Sequence, residues 1–443
     1  MQYAERFSGA TADEQINAAI GALNGNGGIV DARVIAGTQM ITRTIIIPTN
    51  TVVELSPSVV YTCTVSSGPC WKLTGQGSKL LGGALGIHIG HYSPSTQVGT
   101  ILRMGPGITS TTDMIAINPD PPSSAGNGGY EIGNVTIDFA DLSSKSGRYC
   151  IVGYAINHSY LHDIQCLNPG LNGLEFETTP GGWSYDNRLE NILVQAAADT
   201  GFNWTTVHGG MGSDFDRWYC DRCKYAPGSV INGVVHRFGM NGFALNTGSG
   251  NGQMSIADFF FTNLWVGGTS NEGNAGFFIN RAGTDALPYV ENIFIHGEIE
   301  QLSKCHCSTA VKIHNEGPPR AIQLLTLYDI NDNTGFWAEP NNLSPANILT
   351  YTWRNQMQML SLGQLNQSAT NNFAGTCEMS GRHTCDFRLN YSYSSPPICV
   401  AAVQSASPTT FQGSCAISGN TVTIRASTNN FNTWAAVLIG NPR

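Results

Sequence analysis

Three pairs of carboxylates stand two residues apart in this 443-residue chain: Glu175/Glu177, Asp214/Asp216 and Glu298/Glu300. On an extended strand, residues i and i+2 point the same way at roughly 6.5–7 Å, and equivalent positions on neighbouring strands lie about 4.8 Å apart. Hydrolysis of a glycosidic bond uses two carboxyl groups, about 5–5.5 Å apart for retention of configuration and about 6.5–9.5 Å for inversion. Strand-borne pairs of this kind therefore have suitable spacing. Asp214 and Asp216 sit in GSDFDRW, beside Phe215, Arg217 and Trp218. An aromatic face suits a sugar ring, and an arginine can orient a hydroxyl or a carboxylate. We take Asp214 and Asp216 as the expected catalytic acids and Glu298 or Glu300 as a supplementary acid. Arg217, Trp218, His208, Trp265 and Glu177 are the expected substrate contacts. The competing reading of each acid pair is a solvated strand face or a turn cap.

The elements that would carry these residues follow from composition. Glycine is abundant at 51 residues and charged residues make up only 12%, which suits short strands and tight turns better than surface helices. The formal charge of -9 comes without a visible Lys/Arg cluster, so a nucleic-acid groove is not expected. A neutral or cationic polymer agrees with that balance, and an acidic one does so only if local arginines or bound cations offset repulsion. No apolar run approaches membrane-spanning length. The opening MQYAERFSGA lacks the basic and apolar regions of a leader, so for a secreted protein the expectation is a leader already removed.

Most of the twelve cysteines fall in close pairs: Cys63 with Cys70, Cys150 with Cys166, Cys220 with Cys223, Cys377 with Cys385, and Cys399 with Cys415. Such spacing implies disulfides and an oxidising, extracellular compartment, with connectivity left open. CDRC at Cys220 and CHC at Cys305, with His306, lack the usual zinc-ligand spacing. No metal or cofactor is expected.

One helical pattern is present. In ATADEQINAAIGALNGNGG, Ile16, Ala19, Ile20 and Leu23 share a face before a Gly-rich stop, which predicts a short helix able to cover the end of a repetitive β structure. Further on, short apolar strands introduced by Asn or Asp recur: GNVTI at Asn134, HDIQC at Asp163 and ENILV at Asn191, then TNLWV at Asn263 and ENIFI at Asn292. The period is about 29 residues, and each strand is followed by a second one, such as GLEFE, GFNW, GFALN or GFFIN. Self-similarity at this period signals a solenoid, and alternating apolar residues with Asn and Gly at corners predict a parallel β-helix. Asn suits such a corner because it tolerates tight-turn dihedrals and its amide can bond the equivalent residue one coil away. Asn191 and Asn263 are 72 residues apart, and the surplus is expected as a loop over 205–228.

The N-terminal DEQINAAIGAL…GGIVDAR…TIIIPTNTVVELSPSVV resembles the opening of the pectate-lyase-like right-handed β-helix superfamily, which includes polygalacturonase-type glycosidases, polysaccharide lyases and phage tailspikes. The resemblance covers roughly residues 5 to 355. It implies an all-β, right-handed parallel β-helix and a polysaccharide ligand. Polygalacturonase-type enzymes carry Asn-Thr-Asp, Asp-Asp, Gly-His-Gly and Arg-x-Lys segments. Here Asn246-Thr247 is followed by Gly248, His208 lies in Val-His-Gly-Gly, and no Asp-Asp occurs, so three of the four segments are missing. Pectate-lyase chemistry uses a calcium cluster and a basic residue; Arg217, Arg222 and Arg237 are available, but no calcium cluster stands out.

The expected organisation is a β-helix domain over 1–355, a linker over 356–371, and a small disulfide-bonded, sandwich-like antiparallel β domain over 372–443. The expected function is a secreted glycoside hydrolase acting on a polysaccharide along one face of the β-helix. A lyase and a non-catalytic, glycan-binding trimeric fibre are the alternatives. Neither nucleic acid nor membrane is expected as a partner.

Overall fold

The computed structural model describes residues 1–85, 99–119, 128–139, 147–179, 182–206, 213–226, 228–231, 234–237, 241–247, 255–267, 275–282, 290–299, 309–317, 322–328, 336–338 and 348–351. It also describes strands at 373–378, 384–388, 398–405, 413–418, 421–426 and 433–440. His208, Glu300 and the expected linker lie outside these residues, as does the side chain of Asp214.

The helix forms over Ala12–Gly21. Ile16 and Ala19 are fully buried, and Ile20 and Leu23 pack at the margin of the same core. Asp13 in its first turn is also buried and accepts hydrogen bonds from the Thr42 hydroxyl at 3.1 Å and the Arg43 amide at 2.9 Å, which pins the helix to the first coil.

The chain then winds as a right-handed parallel β-helix. A 16-stranded sheet, here the long sheet, runs through strands such as Glu131–Asp138, Tyr160–Leu167, Ser184–Gln195, Ser213–Asp221, Ser255–Val266 and Val290–Ile299. A ten-stranded sheet, the short sheet, runs through Ile151–Tyr154, Leu174–Glu177, Thr200–Thr205, Asn241–Thr247 and Ala275–Arg281. Each coil contributes one strand to each sheet, so like residues stack. Leu161, Leu189, Cys220, Phe261 and Ile295 stand in one inward column. Phe202, Phe243 and Phe277 stand in another, their rings stacked within 6° of parallel. Burying such columns between coils is what makes the solenoid cohere.

Two corners shape the long sheet, and at both the corner residue adopts the left-handed conformation. The second corner is the column Asn134, Asp163, Asn191, Arg222 and Asn263, with φ of 51–57°. The Asn191 side-chain amide donates to the Asp163 carboxylate one coil back. The first corner is the column Asp186, Arg217, Asp258 and Asn292. Asn292, aligned above with Asn263, belongs here instead, and its amide donates to Asp258. Both corners favour Asn and Asp for the same backbone reason, and they lie five residues apart on a strand, so residue type alone does not separate them.

The position of the surplus residues also differs from expectation. Residues 213–226 form an ordinary coil in register with its neighbours. Its corners are hidden in the sequence because arginines, Arg217 and Arg222, stand where other coils have Asn or Asp. The extra length falls after Arg222, where strands Gly228–Ile231 and Val234–Arg237 form an antiparallel hairpin. Arg222 is held by Glu190 of the preceding coil and, at 3.2 Å, by Asp221, and the Cys220–Cys223 disulfide brackets it. Cys63–Cys70 and Cys150–Cys166 are also bonded.

Towards the C-terminus, strands Phe373–Glu378, Ile398–Ser405 and Thr433–Gly440 form one antiparallel sheet, and Thr384–Arg388, Gly413–Ser418 and Thr421–Ala426 another.

The corner residues carry a direct test. Asn191→Ala is expected to cost about 2–3 kcal/mol, from left-handed strain at a Cβ-bearing residue and the lost amide bond. Asn191→Gly, which tolerates that conformation, is expected to cost only about 1 kcal/mol. Denaturant midpoints measure both, and equal losses for the two variants would refute the conformational argument.

Candidate functional site

The first corner collects the chemistry. The corner residue interrupts strand alternation, so the residue before it faces outward and the one after it enters the core. Tyr185, Asp216 and Glu291 are half-buried in the outward column, whereas Asn187, Trp218, Phe259 and Ile293 are buried in the inward one. Arg217 places its Nε 3.0 Å from Asp186 and 3.5 Å from Asp216. Asp216 is also in hydrogen-bond contact with Asp258 on the adjacent coil. Partial burial and then that hydrogen bond push Asp216 up to about 6. Burial, followed by the charge of Asp258, raises Glu291 as well. Asp186 and Asp258 straddle Arg217, two coils or roughly 9.5 Å apart along the axis.

Aromatic side chains border these acids. The His158 ring stands edge-on to Tyr185 at 5.0 Å, with its Nδ1 3.6 Å from Asp186. Trp183, two residues before Tyr185, is 48% exposed.

Asp216 and Arg217 are thus together as expected, but Trp218 is not a surface contact. It is 1% exposed, its indole N–H donates to the Ser184 carbonyl at 3.1 Å, and it stacks on Phe259 with planes 7° apart. The corner at Arg217 turns it inward. Glu298 is exposed and pairs with half-buried Trp265 on the preceding coil. Both lie past the second corner, seven residues along the strand from Glu291 and Asp258, or roughly 20 Å of extended chain. The structure therefore does not bring them to Asp216. Sequence reasoning missed Asp186, Asp258, Tyr185 and Trp183. The available signal was an Asp five residues before a corner Asn, at Asp186/Asn191 and Asp258/Asn263.

The Glu175/Glu177 pair lies on the outer face of the short sheet, away from this column. Glu175 is 3% exposed although it points outward. The Asn203 amide donates to both its oxygens at 2.9 and 3.0 Å, and Asn172, from the preceding turn, donates to one of them. Its carboxyl therefore seats the 168–172 turn on the sheet, leaving no oxygen free of a protein donor. Burial pushes it up to about 8 against those hydrogen bonds. Glu177 is half-buried and raised by burial, opposed by the nearby Arg148 charge; Arg148 itself is bidentate to Asp113.

A carboxyl raised on folding contributes stability that is complete below its unfolded value and is lost as pH rises through its folded value. Between pH 5 and pH 8 the wild type should therefore lose up to a few kcal/mol through Glu175, since each pH unit between the unfolded and folded values is worth about 1.4 kcal/mol. Glu175→Gln, which cannot ionise, should lack that decline. Melting temperatures of the two proteins across this range give the answer, and a wild-type minus variant difference that stays flat with pH would rule the account out.

No family model matches the chain, and no curated relative does. Among solved structures it is similar to the tailspike protein of Acinetobacter baumannii bacteriophage Fri1, a capsular polysaccharide depolymerase, at 12% identity and a TM-score of 0.35, over 99% of this chain and 83% of that one. It is similar to the A-module of an Azotobacter vinelandii mannuronan C-5 epimerase at 13% identity and a TM-score of 0.42, over 80% and 100% of the two chains. A Geobacillus virus E2 protein matches at 11% identity and a TM-score of 0.42, over 99% and 75%. The coil-by-coil register itself establishes the fold: the chain is a right-handed parallel β-helix.

Proposed function

We propose that the chain binds a polysaccharide across the first corner of the β-helix and hydrolyses it. The observation that carries this reading is the Asp216–Asp258 pair, set beside Arg217 and bordered by aromatic side chains. A carboxyl that titrates near 6 keeps a proton where an ordinary aspartate has lost it, which suits donation to a leaving glycosidic oxygen. Asp186, held by Arg217 on the coil immediately before Asp216, would serve as the second carboxylate, its oxygen and that of Asp216 lying 3.0 and 3.5 Å from the same guanidinium nitrogen. Three disulfides agree with an extracellular setting.

A non-catalytic, glycan-binding fibre is favoured by one observation: Asp216 and Asp258 are in hydrogen-bond contact and not held 5 Å or more apart. The deciding experiment is incubation with a panel of polysaccharides, reading new reducing ends and, separately, ultraviolet absorbance. Reducing ends without absorbance support hydrolysis, and absorbance from unsaturated ends replaces it with a lyase. Retention of a polysaccharide without cleavage, with a trimer by light scattering, replaces it with the fibre.

A further inference from the structure

We propose that the polysaccharide taken by the first corner contains amino sugars with free amines: one pyranose lies against Trp183 and an ammonium further along the same glycan sits beside Asp258 and Glu291. This rests on the reading of the corner as a glycan site and names the class of sugar.

Trp183 supplies the first argument. It is a large apolar ring left 48% exposed on a backbone that is fixed. The Gly182 amide just before it donates to the Thr179 carbonyl at 2.8 Å. Gly182 itself is packed so closely on the coil that a Cβ there would come within 2.7 Å of the Ala155 Cβ. A fixed aromatic platform loses little conformational entropy when a ligand covers it. Trp183 and Tyr185 face outward two residues apart, about 6.5–7 Å on an extended strand, and Asp216 lies directly beside Tyr185 on the next coil. A surface that is aromatic at one point and ionic one step away matches a ligand with an apolar face and a polar rim, which describes a pyranose better than an apolar protein surface.

Charge supplies the second argument. Asp186, Asp216, Asp258 and Glu291 line the corner on successive coils; Arg217 contacts Asp186 and Asp216 and His158 stands 3.6 Å from Asp186, whereas among the described residues no basic side chain pairs with Asp258 or Glu291. The chain segments leading into these strands, 206–212, 248–254 and 282–289, contain neither lysine nor arginine. A uronate or sulfate would add like charge to this cluster, whereas an ammonium offsets its excess and forms charge-assisted hydrogen bonds.

The test uses the full chain with oligomers of β-1,4-glucosamine and of α-1,4-galactosamine, each against its fully N-acetylated counterpart, and with alginate oligomers, near neutral pH. Calorimetry gives affinity and tryptophan fluorescence reports the ring. A free-amine oligomer should bind at least about tenfold tighter than its acetylated counterpart, with the advantage shrinking in high salt and in Asp258→Asn. Trp183→Phe should remove the ligand-induced fluorescence change while leaving the melting temperature unaltered. Equal or tighter binding of the acetylated or alginate oligomers overturns the amine assignment and leaves the glycan reading standing. Failure to bind any polysaccharide overturns both.

Discussion

Asp216→Asn is expected to lower product release from the polysaccharide substrate by about 10²–10⁴-fold, the usual contribution of a positioned general acid, while the protein remains folded. The substitution keeps the side-chain shape at a half-buried outward position. It also removes the repulsion between two carboxyl groups in contact, so it should not destabilise and should slightly stabilise the chain above pH 6. The wild-type rate should fall as pH rises through about 6, because the protonated form of Asp216 is the donor and that is where it is consumed. Asp258→Asn should move this limb to lower pH by removing the negative partner. The limb should stay above that of an ordinary aspartate, because burial is the larger cause of the shift. Kinetics of the three proteins across the pH range are sufficient. Retention of activity within tenfold in Asp216→Asn would remove Asp216 from the chemistry.

The second large effect concerns stability. Trp218→Ala is expected to cost about 3–5 kcal/mol, as truncation of a buried tryptophan does, because the indole fills the interior between Phe176, Trp204, Phe215 and Phe259 and satisfies the Ser184 carbonyl. Trp218→Phe should recover a good part of this by keeping the stack on Phe259. Trp183→Ala, three residues before the same corner, should change stability by no more than about 0.5 kcal/mol. Denaturant midpoints for the three variants separate an interior tryptophan from a surface one. Similar losses for Trp183→Ala and Trp218→Ala would contradict the assignment of one to the core and the other to the surface.

How much of this is legible in the sequence depends on which residue carries the signal. The coil is readable wherever its second corner holds Asn or Asp, at Asn134, Asp163, Asn191 and Asn263, because few other side chains accept that backbone conformation without strain. The coil at 213–226 is invisible by the same criterion, since arginine occupies both of its corners. By sequence it therefore reads as an insertion, and Trp218 as a loop residue beside two acids. The acid pairing at Asp216 is half legible. Spacing within one strand points to Asp214 as its partner, but in a solenoid the nearest neighbour of an outward residue belongs to the next coil. Asp258 lies 42 residues away in ADFFF, a stretch whose apolar neighbours conceal it. Glu175 illustrates the converse: its spacing suggests chemistry, and the amides that occupy it come from Asn172 and Asn203, which no local pattern links to it.

The coil with two arginines has a consequence for how the chain finds its structure. Successive coils are near-copies, so a strand could pair one coil too early or too late and still bury the same apolar pattern, and slippage of this kind is a characteristic hazard of repetitive architectures. Asparagine corners do little to prevent it, because one amide bonds the next equally well anywhere along the stack. Arg217 and Arg222 are not interchangeable in this way. They need Asp186 and Glu190, four residues apart on the strand of the coil immediately before, and a shifted alignment leaves two guanidinium groups without those partners. The coil that departs from the repeat thus works as an index mark, giving this self-similar stretch of the stack a place from which its winding can be counted.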